Sequence, residues 1–307
     1  MSSQSNAFLT VVRPGMRTLV VDYGRPTWRS FGVPVGGAAD RSALALGNAL
    51  VGNAADAAAL EISLAGPTLV ANAPLACVVY GAAFDLACEE RTLRAGKSFT
   101  LEAGEELRIG GTRENVRGYF CVRGGLEISP VLGSRSSLEP LHGGERLACQ
   151  SSRTPARWFS HAFLCDSDPR ILRTIPGRQA NWFSDQHLFG RSFSVSGDSD
   201  RMGLRLRGDA LVVPDRELVS EPVCPGSVQV TRDGQCIVLG VDGQTIGGYP
   251  KIAQVIAADL DKLGRLRPGD EVTFQSVSLE IAESLYRRKQ EELRAWILRL
   301  QTVSAGF

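Results

Sequence analysis

The sequence predicts a mainly β protein, two β-rich lobes with only a few helices, and two observations carry that expectation. First, one unit recurs four times: LRAGKSFTL (93–101), LEAGEELRI (101–109), LHGGERLAC (141–149) and LRPGDEVTF (266–274). In each, a leucine is followed three residues later by glycine, then a charged residue, then apolar residues at two-residue spacing. Glycine supplies the turn conformation other residues avoid, and the alternation describes a strand with one buried face. Second, helical spacing is confined to three stretches. Three copies in the first half and one near the end suggest related lobes, and their uneven spacing excludes a solenoid. The expected boundaries are an N-terminal lobe over 8–150, a C-terminal lobe over 165–277, and a closing helix over 278–303.

The helices follow in chain order. YGRPTWRSFGVPVGGAADR (23–41) reads as a stiff, charged, glycine-rich loop that runs straight into ALALGNALVGN. Asp40 can cap a helix through about Val51, closed by Gly52. A second helix is expected from Pro250, a favoured first-turn residue, with Ile252, Val255, Ile256, Leu260 and Leu263 as one apolar stripe before Gly264. The third, about Leu279 to Leu300, is highly charged and offers Leu285, Leu293, Trp296 and Leu300 for packing. Ser151 to Arg178 has no clean period and is expected to carry the link between lobes.

Composition narrows the functions. At 307 residues the chain can bury a sizeable core. With 22% charged residues and a net charge of +1, it gives no electrostatic case for nucleic acid or an anionic membrane. No apolar run approaches the roughly 20 residues of a membrane helix. MSSQSNAFLTVV lacks the basic-then-apolar pattern of a signal peptide, so a cytoplasmic protein is expected. The seven cysteines (77, 88, 121, 149, 165, 224, 236) and three histidines (142, 161, 187) are scattered without metal-ligand spacing. Buried free thiols and no metal site are therefore expected, with Cys121, Cys149 and Cys236 structural.

Four constellations could carry chemistry. In the opening loop, Arg25 and Arg29 are forks suited to a carboxylate or phosphate, bracketed by Asp22 and Asp40. Taken alone, Arg25 pairing with Asp22 and Asp40 capping its helix is the plainer reading. In DGQTIGGYPKIAQVIAADL (242–260), Gly247 and Gly248 lead toward Lys251, and a lysine at a helix N-terminus would make a local positive potential. A solvated lysine is the bland alternative, yet cation and helix dipole repel there. SGDSDRMGLRLRG (196–208) places Asp198, Asp200 and Arg201 in a loop before a strand, and SEPVCPGSVQV (220–230) holds Glu221 and Gln229. Each of these two alone reads as a structured loop. Cys224 has no nearby histidine to activate it as a nucleophile. There is no Walker loop, GxSxG or strand-following GxGxxG.

In order along the chain, RPGMRTLVVDYGRPTWRSFGVPVGGAADRSALALGNALVGN, ALEISLAGPTL, GGLEISPVLGSRS, SDRMG, SEPVCPGSVQV and DGQTIGGYPKIAQVIAADLDKLGRLRPGDEV resemble the biotin-dependent carboxyltransferase family. That family includes allophanate hydrolase subunit 2-like proteins, the C subunit of bacterial 5-oxoprolinase and half of the carboxyltransferase region of urea carboxylase. The resemblance spans about Val12 to Ser278. It implies a cyclophilin-like β-barrel architecture and a B-subunit-like (allophanate hydrolase subunit 1-like) partner, with an A-subunit-like protein as a further one. It also implies a small amide or lactam substrate, ATP used with the partner subunits, and carboxybiotin in the carboxyltransferase branch. On this resemblance Arg25, Arg201 and Lys251 are the electrostatic residues and, with Asp22, the catalytic set. Asp22, Asp40 and Gln244 would orient substrate, and Gly247, Gly248 and Tyr249 would shape the pocket.

The chain departs from the family where it has Val21 for glutamine, Thr27 for glycine, Gly36-Gly37-Ala38 for SGA, Ala83 in GAD, Leu204 for tyrosine and Ile246 for threonine. The polar losses at Val21, Ala83, Leu204 and Ile246 favour an alternative, a non-catalytic regulatory protein that binds a B-subunit-like, kinase-inhibitor-like partner. Retention of Asp22, Arg25, Arg201 and Lys251 favours an enzyme component, because an unused buried charge is costly and easily lost.

Overall fold

The four recurrent turns form as expected. Gly96, Gly104, Gly144 and Gly269 all take positive φ, between 78° and 89°, and each leads into a strand. A computed structural model describes residues 7–89, 91–160, 168–183 and 188–302, and the chain divides into two compact units. The first comprises Met1–Gly24, Arg41–Leu164 and Glu292–Phe307; the second comprises Arg25–Asp40 and Cys165–Glu291.

The described residues of the first unit form eleven strands: β1 (Ala7–Arg13), β2 (Arg17–Val21), β3 (Ala59–Ser63), β4 (Thr68–Ala71), β5 (Leu75–Gly81), β6 (Phe84–Cys88), β7 (Arg91–Leu93), β8 (Phe99–Leu101), β9 (Glu106–Thr112), β10 (Arg117–Val122) and β11 (Arg146–Cys149). They form a six-stranded sheet, β11-β1-β4-β9-β6-β7, and a five-stranded sheet, β2-β3-β10-β5-β8. Leu9, Leu69 and Leu107 from the first sheet share one core with Leu60, Val79 and Phe120 from the second. Helix α1 (Arg41–Leu50) packs against β5 and β10. Gly47 permits this approach: a Cβ there would stand 2.9 Å from the Cys121 sulfur and 3.1 Å from Tyr80 Cβ.

The second unit is a closed seven-stranded barrel. Its strands are β12 (Ile171–Pro176), β13 (Ser192–Val195), β14 (Gly203–Arg207), β16 (Ser227–Val230), β17 (Cys236–Leu239), β19 (Lys251–Val255) and β20 (Glu271–Ser276). They close in the order β12-β19-β16-β17-β14-β13-β20, and only the β12–β20 pair is parallel. A two-stranded ribbon, β15 (Glu221–Pro222) with β18 (Ile246–Gly247), accompanies the barrel. The mainly β, barrel-containing architecture is the one implied by the sequence. The helix α2 is a single turn (Leu260–Leu263), and α3 runs Leu279–Thr302. The expected link over Ser151 to Arg178 and the residues His161, Cys165 and His187 lie wholly or partly outside the described residues.

One element differs. The helix expected from Pro250 is strand β19, which pairs with β12 and β16. Lys251, Ile252, Ala253 and Val255 are all buried, so the strand shows no apolar/polar alternation. Its run of apolar residues reads equally well as a helix stripe, and tertiary pairing decides the outcome.

Cys77, Cys88, Cys121, Cys149 and Cys236 are buried free thiols, whereas Cys224 is exposed. Burial pushes the Cys149 and Cys236 thiols up to about 12 and Cys121 higher still, so thiolate is scarce at neutral pH. Among these six, a thiol reagent under native conditions is expected to label Cys224 first. Fast labelling of Cys121, Cys149 or Cys236, mapped by peptide mass, would contradict the burial.

Candidate functional site

The segment Arg25–Asp40 comes early in the chain yet folds with the barrel. A 3-10 turn, Pro26–Phe31, starts on a proline whose missing N–H is not needed there and closes on Gly32 at φ 82°. Four contacts fix the segment within the second unit. The Gly36 amide donates to Val241 O at 2.8 Å. Arg201 Nη2 donates to Gly37 O at 2.7 Å, and Arg265 Nε donates to Asp40 Oδ2 at 2.6 Å. Arg29 Nη2 donates to the Val223 carbonyl. Gly264 allows the backbones to touch, since a Cβ on it would stand 2.6 Å from Ala39 O.

Arg201 is a clamp. Its guanidinium takes Asp242 in the bidentate fork geometry, Nε to Oδ2 at 2.7 Å and Nη2 to Oδ1 at 2.9 Å, while also holding Gly37. Gly36 lies beside it, and a Cβ there would meet Arg25 Nη1 at 3.5 Å and Asp242 Oδ1 at 4.0 Å. Arg25 is buried, and its amide donates to Val35 O at 2.7 Å.

Lys251 is buried at 5% exposure at the start of β19. Its ammonium lies 2.5 Å from Glu221 Oε1 and finds no further acceptor among the described residues. Gln179 braces both partners: its Nε2 donates to Glu221 Oε1 at 2.7 Å, and its Oε1 accepts from the Lys251 amide at 3.0 Å. The bond from Lys251, aided by Gln179 and by the Lys251 and Arg178 charges, outweighs burial and holds the Glu221 carboxyl below its ordinary value. Across the sheet Lys251 pairs with Gln229, which is 1% exposed. Gln244 Nε2 donates to Gln229 Oε1 at 3.4 Å, and Gln229 Nε2 has no acceptor among the described residues. Gly247 makes room for that amide, since a Cβ on it would stand 2.4 Å from Gln229 Nε2.

Of the nine residues singled out in the sequence, eight fall in the second unit and Asp22 in the first. The Asp22 carboxylate accepts four hydrogen bonds within that unit: Ser134 Oγ at 2.5 Å, Arg135 N at 2.6 Å, Ser136 Oγ at 2.7 Å and Gly24 N at 2.7 Å. Burial raises its pKa, but these donors outweigh that and hold it below the ordinary value. Asp22 thereby fastens the 134–136 loop to the end of β2. Asp40 pairs with Arg265, Tyr249 is 39% exposed, and Gly248 faces Ser220, whose Oγ would be 3.2 Å from a Cβ. In the sequence Glu221 and Gln229 read as parts of a structured loop, and Gln179 carried no assignment. The signal for the first two was present, polar residues flanking a proline-rich loop, whereas Gln179 lay in an unpatterned stretch.

The chain belongs to the carboxyltransferase domain family, subdomains A and B, which matches residues 31–276. It is similar to the 5-oxoprolinase C subunit of Escherichia coli K12, with 36% identity over 298 residues covering 92% of this chain and 95% of that protein. It also resembles the crystal structure of TTHA0988, with 36% identity, TM-score 0.80, and coverage of 90% of this chain and 57% of that one. The structure of Kluyveromyces lactis urea amidolyase superposes at TM-score 0.85 with 25% identity, covering 96% of this chain and 20% of that one. The chain therefore spans little more than half of TTHA0988 and a fifth of the amidolyase.

Breaking the Lys251–Glu221 pair from its two ends should not cost the same. Glu221→Gln strands a buried ammonium and is expected to cost about 3–5 kcal/mol. Lys251→Met removes the charge and keeps the aliphatic stem, while Glu221, with a side chain 17% exposed, retains Gln179 and water. That change is expected to cost about 1–2 kcal/mol. Because the folded pKa of Glu221 is depressed, the stabilisation is fully present above the ordinary carboxylate value. It fades as pH falls through the depressed one. Urea midpoints measured at pH 7 and then down through the carboxylate range check both points, and equal midpoints for the two variants at pH 7 would contradict the pairing.

Proposed function

We propose that the chain is the C subunit of a 5-oxoprolinase, supplying part of a composite site that opens the lactam of 5-oxoproline to glutamate at the expense of ATP. The observation that carries this reading is the end-to-end match to the 5-oxoprolinase C subunit, which covers nine-tenths or more of both chains. The urea-type reading rests on lower identity to a fifth of a much longer chain. In the lactam half of the reaction, water adds to the carbonyl, the ring C–N bond breaks, and the nitrogen leaves with a proton as the amine of glutamate, while ATP and a second water become ADP and phosphate. Negative charge gathers on the carbonyl oxygen as water adds. A buried ammonium and a buried amide N–H2 are the groups that favour such charge, and they are worth most where water is excluded.

ATP is assigned to the partner subunits. The sequence has no Walker loop, and Gly247-Gly248 lead into a strand rather than a helix N-terminus, so no phosphate cradle forms there. Two of the four polar losses that favour a non-catalytic role lie in packed positions: Val21 is buried in β2, and Leu204 belongs to the barrel core. Packing accounts for an apolar residue at either place without reference to a binding site.

Co-expression with A-subunit-like and B-subunit-like proteins tests the proposal. A stable complex on size-exclusion chromatography and ATP-dependent consumption of 5-oxoproline that disappears when this chain is omitted are the expected results. Separate peaks at micromolar concentration, or full turnover without the chain, would sink it.

A further inference from the structure

Among the described residues of the second unit, three buried side-chain atoms lack a hydrogen-bond acceptor: Arg29 Nη1, Gln229 Nε2 and Lys251 Nζ, the last apart from its ion contact with Glu221. All three are donors, and all three gather at one feature, the β15–β18 ribbon. Lys251 touches Glu221 on β15. Gln229 Nε2 abuts Gly247 on β18, opposite Glu221 in register. Arg29 holds the carbonyl of Val223, the residue that follows β15, whose Cγ1 would be 3.4 Å from a Cβ on Gly247. A buried donor without an acceptor costs about 1–3 kcal/mol. Among the described residues of this unit no buried side-chain acceptor stands unmatched beside these three donors, a pattern that oxygen atoms of a ligand would complete.

We propose that this ribbon covers a subsite for a small carbonyl-bearing carboxylate, in which Arg29 takes the carboxylate while Gln229 and Lys251 take the carbonyl oxygen. The inference rests on the 5-oxoprolinase reading and divides that substrate between named residues. The division follows from chemistry. Arg29 offers a full charge through Nη1, the arm that the Val223 carbonyl leaves unused, which suits a carboxylate oxygen. Gln229 is neutral, and the charge of Lys251 is already matched by Glu221, which suits a carbonyl that becomes negative only during reaction. Arg29 is thus a specificity residue for the acid, and Gln229 a binding residue for the lactam.

Calorimetric titration of the assembled complex with 5-oxoproline and with 2-pyrrolidinone, the same lactam without the carboxylate, tests the division. Arg29→Met is expected to weaken 5-oxoproline about tenfold to a hundredfold and to leave 2-pyrrolidinone unchanged. Gln229→Leu is expected to weaken both about equally. Gly247→Ala, which displaces the Gln229 amide without removing it, is expected to follow Gln229→Leu. If Arg29→Met does not assemble, Arg29→Lys keeps the charge and loses the Nη1 donor held in place by the Val223 contact, and a smaller loss confined to 5-oxoproline is expected. An unchanged affinity for the acid in the Arg29 variants, or an equal loss for both ligands, overturns the proposal while the 5-oxoprolinase reading stands. A wild-type complex that binds neither ligand overturns both. Inorganic phosphate displacing 5-oxoproline in an Arg29- and Gln229-dependent way would make this a phosphate site and would also overturn the assignment.

Discussion

The guanidinium of Arg201 fixes the second unit's loops. It is buried, and a buried cation is tolerable only when its hydrogen bonds and counter-charge are in place. Asp242 supplies the charge and Gly37 a carbonyl, so one side chain joins the 240–245 turn to the Arg25–Asp40 segment. The backbone closes around it as well. The Asp242 amide donates to Arg201 O at 3.1 Å, and Gly240 sits so close that a Cβ would be 2.2 Å from that oxygen. Arg201 therefore acts through position. Without it, the loops that hold Arg29, Gln244 and the ribbon lose their common anchor.

Other buried charges in the barrel unit follow the same rule. Asp259, which is fully buried, accepts from the Arg173 amide at 2.9 Å, from Arg173 Nε at 2.9 Å and from Arg173 Nη2 at 2.5 Å. Lys262 Nζ lies 3.2 Å from it. Burial raises the Asp259 pKa, and these partners bring it below its ordinary value. Asp40 is matched by Arg265 in the same way. Among the described residues of this unit, the buried side-chain donors without a hydrogen-bond acceptor are the three at the ribbon. Unsatisfied polarity persists where something other than stability is served.

Much of the fold is legible because its signals are local. The L-x-x-G unit reports a positive-φ turn followed by a half-buried strand, and both properties belong to a few neighbouring residues. Helix α3 is legible for the same reason, its charged face and apolar positions repeating over 24 residues. Strand β19 misleads because burial on both faces erases the alternation that marks a strand, while Pro250 mimics a helix start. The site is less legible than the fold. Arg25, Arg201 and Lys251 stand out as charges beside glycines, but the partner that Arg201 or Lys251 takes depends on residues far away in sequence. Asp242 lies 41 residues from Arg201, and Gln179 lies 42 from Glu221. Gln229 looks like any polar residue in a strand until Gly247 is known to lie against its amide.

Placing Lys251 in a strand changes the electrostatics of the site. No helix dipole adds to its charge, and Glu221 at 2.5 Å neutralises it as a pair. Gln229 carries no charge. Arg178 also approaches Glu221, at 3.5 Å, but its side chain is 77% exposed and water screens it. Arg29 is then the net charge left among the three unmatched donors, a single positive one. A site with one uncompensated cation and two further donors matches a monoanion that also carries a neutral oxygen acceptor. A dianion would leave one charge unmatched in a place sheltered from water, and a neutral amide would leave Arg29 unmatched instead. The balance of charge around the ribbon thus selects the same kind of molecule as the count of its donors, a small acid with a carbonyl set apart from its carboxylate.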